Sequence, residues 1–87
     1  PEAKQAYYLR LTVKDEPGVF ADIAATLRDN HISLETVVQR GHEPGQNVPV
    51  ILTTHPAGET AMRSALATLD AMDTVLGPTQ LLPIMPA

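Results

Sequence analysis

The spacing of apolar residues changes abruptly near the start of the chain, and that change limits what it can fold into. Tyr7, Leu9, Leu11 and Val13 alternate with Tyr8, Arg10, Thr12 and Lys14, the period of two expected of a half-buried strand. Asp15-Glu16-Pro17-Gly18 stops the alternation, because proline and glycine together mark a turn. From Val19 the spacing becomes three and four. Val19, Ile23 and Leu27, with Phe20 and Ala24 beside them, share one face of a helix reaching Asn30, while Asp22, Arg28 and Asp29 lie elsewhere. Asn30 suits the helix end because asparagine tolerates a left-handed backbone.

The remaining chain repeats these two periods. Ile32 to Arg40 alternates again, with Ile32, Leu34 and Val38 on one side and Ser33, Glu35, Val37 and Gln39 on the other. Thr36 falls on the apolar side, a mild break. Gly41 to Asn47 reads as a hairpin connection, and Val48 to His55 as a third strand rich in β-branched residues. Pro49 belongs near that strand's start, because proline cannot donate to a ladder. Pro56-Ala57-Gly58 is a turn. Glu59 to Met72 is a second helix, with Met62, Leu66, Leu69 and Met72 on one face and Ala65 between them. Gly77-Pro78 is a break, and Gln80 to Met85 a short fourth strand with Leu82 and Ile84 on one face; Pro83 places it at an edge. The order β-α-β-β-α-β predicts an α+β, ferredoxin-like sandwich: an antiparallel four-stranded sheet with two helices on one face. Tyr8, Val37, Ile51 and Thr53 would then point to the open face, which a second copy or another domain would cover.

Size and composition narrow the functional classes. Eighty-seven residues make one domain, read as residues 7–87 after a polar leader at 1–6 that resembles a linker remnant. The first residue is Pro1, which suggests a piece of a longer or processed protein. With only Tyr7, Tyr8 and Phe20 aromatic, the core must be aliphatic. There are no cysteines, which removes disulfides and thiol chemistry and fits an intracellular, cytoplasmic protein. No apolar run approaches the ~20 residues needed to cross a bilayer. The formal charge is −4, from 6 Lys+Arg and 10 Asp+Glu, so nucleic acid is a poor partner. The strands also lack the aromatic display of ferredoxin-like RNA binders.

Catalytic signatures are missing from the sequence. No G-x-G-x-x-G follows the first strand, and there is no P-loop or nucleophile elbow. His31, His42 and His55 sit in or beside turns at spacings that suit no metal, and Glu59 and Asp70 read as solvated helix charges. One stretch offers binding chemistry. At Lys14 to Phe20 a strand ends, a glycine permits close approach and a helix begins, exposing N–H groups that suit a carboxylate. Asp15 adds an acceptor for an ammonium group. The same residues also serve a plain turn, with Asp15 capping and Gly18 providing the backbone freedom. Ser33, at the start of the second strand, is a second candidate: in this fold the first loop and that strand's start can lie near one another, and an edge strand would bring the serine to a partner chain.

These residues resemble a known family. Tyr7-Tyr8-Leu9-Arg10-Leu11-Thr12-Val13, Asp15-Glu16-Pro17-Gly18-Val19 and His31-Ile32-Ser33-Leu34 look like an ACT domain, a βαββαβ module that commonly binds amino acids between paired copies. Ile32 to Arg40, Val48 to His55, and Met62-Arg63 with Ala65-Leu66 are similar to the C-terminal region of bacterial homoserine dehydrogenases. The resemblance implies a regulatory segment without catalytic residues. Its parent would interconvert aspartate semialdehyde and homoserine with NAD or NADP, and its effector would be an amino acid, most often L-threonine. The family's ligand loop falls on Asp15, Glu16, Pro17, Gly18 and Val19, and its second-strand position on Ser33; many relatives carry asparagine at the positions of Asp15 and Ser33. The implied partners are a second copy, as a homodimer, and the parent's catalytic domains. The rival readings are an assembly element that binds no ligand, and an independent enzyme of the same fold.

Overall fold

The computed structural model describes residues 3–39 and 46–85; most of the expected hairpin connection, His42 included, lies outside them. In chain order the elements are β1 (Lys4–Gln5), β2 (Tyr7–Lys14), α1 (Val19–Asp29), β3 (Leu34–Gln39), β4 (Asn47–Thr54), β5 (Ala57–Gly58), α2 (Glu59–Asp70) and β6 (Val75–Pro83). Four strands form an antiparallel sheet in the order β3-β4-β2-β6, and α1 and α2 cover one face of it. This is the βαββαβ sandwich expected from the order of periods. An addition is the small ladder of β1 with β5, which draws part of the polar leader and part of the Pro56–Gly58 turn into pairing.

The core lies between sheet and helices. The β2 alternation delivers Tyr7, Leu9, Leu11 and Val13 to it, and β4 delivers Val48, Val50 and Leu52. From above come Val19, Ile23 and Leu27 of α1, and Met62, Ala65 and Leu69 of α2. Each such Val, Leu, Ile or Met side chain contributes about 1.5–3 kcal/mol by leaving water. Thr54 is fully buried among them because its Oγ1 accepts the Tyr7 N–H at 3.1 Å, which keeps a buried donor satisfied where β2 begins. Phe20 departs from expectation: it is 42% exposed rather than part of the core.

Two bulges revise the faces of the edge strands. Leu34 pairs with Thr54 and Thr36 with Thr53, so Glu35 is an extra residue and the alternation of β3 reverses after it. The break noticed at Thr36 is this reversal. Val37 therefore lies opposite the buried Leu52, on the helix side, and Val38 opposite Ile51 takes the place on the open face that was expected of Val37. In β6, Arg10 pairs with Gln80 but Thr12 with Leu76, so Gly77-Pro78 forms a bulge inside one long strand rather than ending it. Gly77 has φ 73° there, a backbone region natural to glycine. Leu81, opposite Leu9, packs on the core, whereas Leu82, opposite Tyr8, is 59% exposed on the open face.

Asp70 is more than a solvated charge. Its Oδ1 accepts the Thr79 N–H at 2.9 Å and the Thr79 hydroxyl at 2.7 Å, tying the end of α2 to the β6 bulge. Glu59 pairs with Arg63 one turn on, in solvent. The end of α1 also differs in detail. Asn30 has φ −99°, and the left-handed residue is His31 at φ 60°. Ile32 N–H donates to Leu27 and His31 N–H to Arg28, each at 2.9 Å, the paired bonds of a Schellman ending. Asn30 instead donates from its side-chain nitrogen to Thr26 O at 2.8 Å.

Candidate functional site

The turn from β2 into α1 is fixed by backbone bonds. Lys14 N–H donates to Thr74 O and Asp15 N–H to Gln46 O, both at 2.9 Å, so the loop is clamped to the segments before β6 and β4. Gly18, at φ 86°, turns the chain into the helix, and Asp22 N–H donates back to its carbonyl at 3.0 Å. No Cβ would clash at Gly18, so the backbone angle alone demands glycine.

Beneath this loop lies a cavity of about 50 Å³. Lys14, Asp15, Glu16 and Val19 border it from the turn, Phe20 and Ile23 from the helix, and Gln39 from the end of β3. That volume holds a few waters and is smaller than an amino acid. One carboxylate oxygen of Asp15, Oδ2, is shut off from solvent. The Asp15 carboxylate and the N–H end of an eleven-residue helix offer an acceptor and donors that match the two charged ends of an amino acid.

Of the residues singled out from the sequence, Asp15, Glu16 and Val19 border the cavity, while Pro17 and Gly18 shape the exposed turn above it. Ser33 is not brought to them. β3 runs antiparallel to β4, so Ser33 sits at the far end of the sheet, where its carbonyl accepts His55 N–H at 2.9 Å. It is exposed, beside Arg28 and His31. Sequence reasoning missed Gln39; Lys14 and Phe20 lay in the stretch that offered binding chemistry but were given no role of their own. Lys14 and Gln39 looked like ordinary outward strand positions, and Phe20 looked like core because it adjoins the apolar stripe. His31 and His55 are exposed, and among the described residues no cluster of three or more potential metal ligands occurs. No helix among them is long and apolar enough to cross a membrane.

The sandwich with its clamped turn at the strand–helix junction is a βαββαβ module, and the ACT domain family model matches residues 7–73. The chain belongs to the ACT domain family. Its more specific likeness is to homoserine dehydrogenases. The enzyme of Pseudomonas aeruginosa is 41% identical over 76 residues, which are 86% of this chain and 18% of that protein. In the crystal structure of a homoserine dehydrogenase from Thiobacillus denitrificans, the matching part superposes with a TM-score of 0.83 at 38% identity, covering 92% of this chain and 17% of that one. The regulatory subunit of aspartate kinase from Thermus thermophilus shares the fold, with a TM-score of 0.64 at 21% identity, and the alignment covers 93% of this chain and 52% of that subunit. This chain thus spans less than a fifth of the length of the homoserine dehydrogenases it matches.

Proposed function

We propose that this chain is the C-terminal regulatory domain of a cytoplasmic homoserine dehydrogenase and that it binds an amino-acid effector, L-threonine, for feedback inhibition. In the parent, NAD or NADP would be held by the catalytic domains, and aspartate semialdehyde and homoserine would be interconverted there. The supporting observation is the cavity bordered by Lys14, Asp15 and Glu16 at the start of α1. Asp15 would accept from the effector's ammonium group, the turn Glu16-Pro17-Gly18-Val19 would present its backbone to the carboxylate, and Phe20 would cover the side chain.

The cavity is too small to enclose the effector within one copy, so a second copy would complete it. β3 is the edge fitted for that role. It is exposed along almost its whole length, whereas the opposite edge, β6, carries Pro78, Pro83 and a bulge, features that discourage pairing. An antiparallel β3–β3 contact centred on Thr36 would set Ser33 of one copy opposite Gln39 of the other, beside its cavity. Effector binding would act on the parent through unequal affinity for its active and inhibited arrangements.

Thermal denaturation against a panel of amino acids tests this reading. A ligand that binds only the folded state at a hundred times its Kd stabilises by about 2.7 kcal/mol, so threonine is expected to raise the melting temperature clearly and Asp15→Ala to abolish the rise. The exposed β3 edge by itself also suits an assembly element without a ligand. That reading replaces the first if the chain dimerises and no amino acid alters its melting temperature.

A further inference from the structure

The open face of the sheet has a charge pattern unlike that of the chain as a whole. Register puts Tyr8, Arg10, Val38, Ile51 and Leu82 on it as one contiguous patch. Val38 and Leu82 are 42% and 59% exposed, and Arg10 is exposed. Arg10 stands at its centre, between Ile51 of β4 and Gln80 of β6. Lys14, further along the same side of β2, is the other charge. The paired positions of this face hold two cations and no carboxylate, Glu35 standing unpaired at the β3 bulge on the sheet's edge, although the chain carries 10 acidic residues and a net charge of −4. The acidic residues of α1 and α2 (Asp22, Asp29, Glu59 and Asp70) belong to the opposite layer.

This pattern discriminates between occupants. Two copies stacked sheet to sheet about a twofold axis through the patch would bring two Arg10 side chains together in a closing interface. Like charges taken out of water there oppose association. An apolar surface with a carboxylate at its centre instead satisfies both parts of the patch. We propose that the open face docks against such a surface on the remainder of the parent polypeptide, with Arg10 meeting a carboxylate. This rests on the reading of the chain as part of a homoserine dehydrogenase, whose relatives are about five times its length. It leaves the β3 edge free for a second copy, so effector site and parent contact occupy different surfaces.

Hydroxyl-radical labelling of the full-length parent and of the 87-residue chain at matched concentration tests the assignment. Buried Tyr7 serves as the internal check that both are folded. Tyr8 and Leu82 are expected to label several-fold more slowly in the parent. Arg10→Glu should return them to the rate of the isolated chain, while Arg10→Lys and the helix-side charge reversal Arg28→Glu should keep the protection. Equal labelling in parent and fragment overturns the docking. Protection that appears in the isolated chain as its concentration rises assigns the face to a second copy and overturns the occupant. Protection that survives Arg10→Glu overturns the carboxylate contact. Homoserine dehydrogenase activity is measured on the same parent sample. Its absence would refute the enzyme assignment, while the labelling would still report whether the face is covered.

Discussion

At the scale of single residues, this domain places unusual demands on a few positions. His31 adopts φ 60° at the Schellman ending of α1, where glycine is the usual occupant because an L side chain is strained there. The bonds that close the helix come from the backbone of His31 and Ile32, so glycine would keep them. His31→Gly is expected to stabilise the domain by about 0.5–1 kcal/mol, read as a melting temperature several degrees higher. An unchanged or lower value would mean that the imidazole makes a compensating contribution. The sequence marked this helix end but gave the left-handed backbone to Asn30. Asparagine and histidine both tolerate that region, and only the path of the following chain into Ile32 chooses between them. Thr54 was equally invisible as a core residue. Its burial depends on a bond to Tyr7, 47 positions away in the chain.

At the scale of elements, the two central strands and both helices were legible because a burial period is imposed on each by a single neighbouring layer. The edge strands were not, since each contains a bulge. A bulge changes which face a residue occupies without changing composition, so Val37 and Val38 exchange faces and Leu82 turns outward. The edge of β3 is where association is expected. Val37 is 40% exposed, two residues from Glu35 on the same edge. Val37→Glu adds a second carboxylate to that strand, and like charges across a pairing edge are destabilising. Self-association measured by sedimentation equilibrium is expected to weaken by ~10-fold or more, with little change in the melting temperature measured under monomeric conditions. Unaltered association would exclude β3 as the contact and, with it, the delivery of Ser33 to a neighbouring cavity.

For the whole molecule, one continuous core joins every major element, from Tyr7 of β2 to Val75 of β6. A single small core of this kind unfolds as a unit, and small domains have little stability to spare. Urea denaturation followed by far-ultraviolet circular dichroism and by tyrosine fluorescence is expected to give coincident transitions. Tyr7 reports the core and Tyr8 the open face, so separated transitions would show that the sheet outlasts its helical cover. What the sequence determined by itself was the order of elements, the aliphatic core and the turn at Asp15 to Gly18, because periodicity and turn chemistry act between near neighbours in the chain. Tertiary structure alone decided that Ser33 and Asp15 stand at opposite ends of the sheet, that Gln39 closes the loop cavity, and that Arg10 lies at the centre of an apolar face. Each of those depends on strand register, which is set by contacts between residues distant in sequence and carries no local signature.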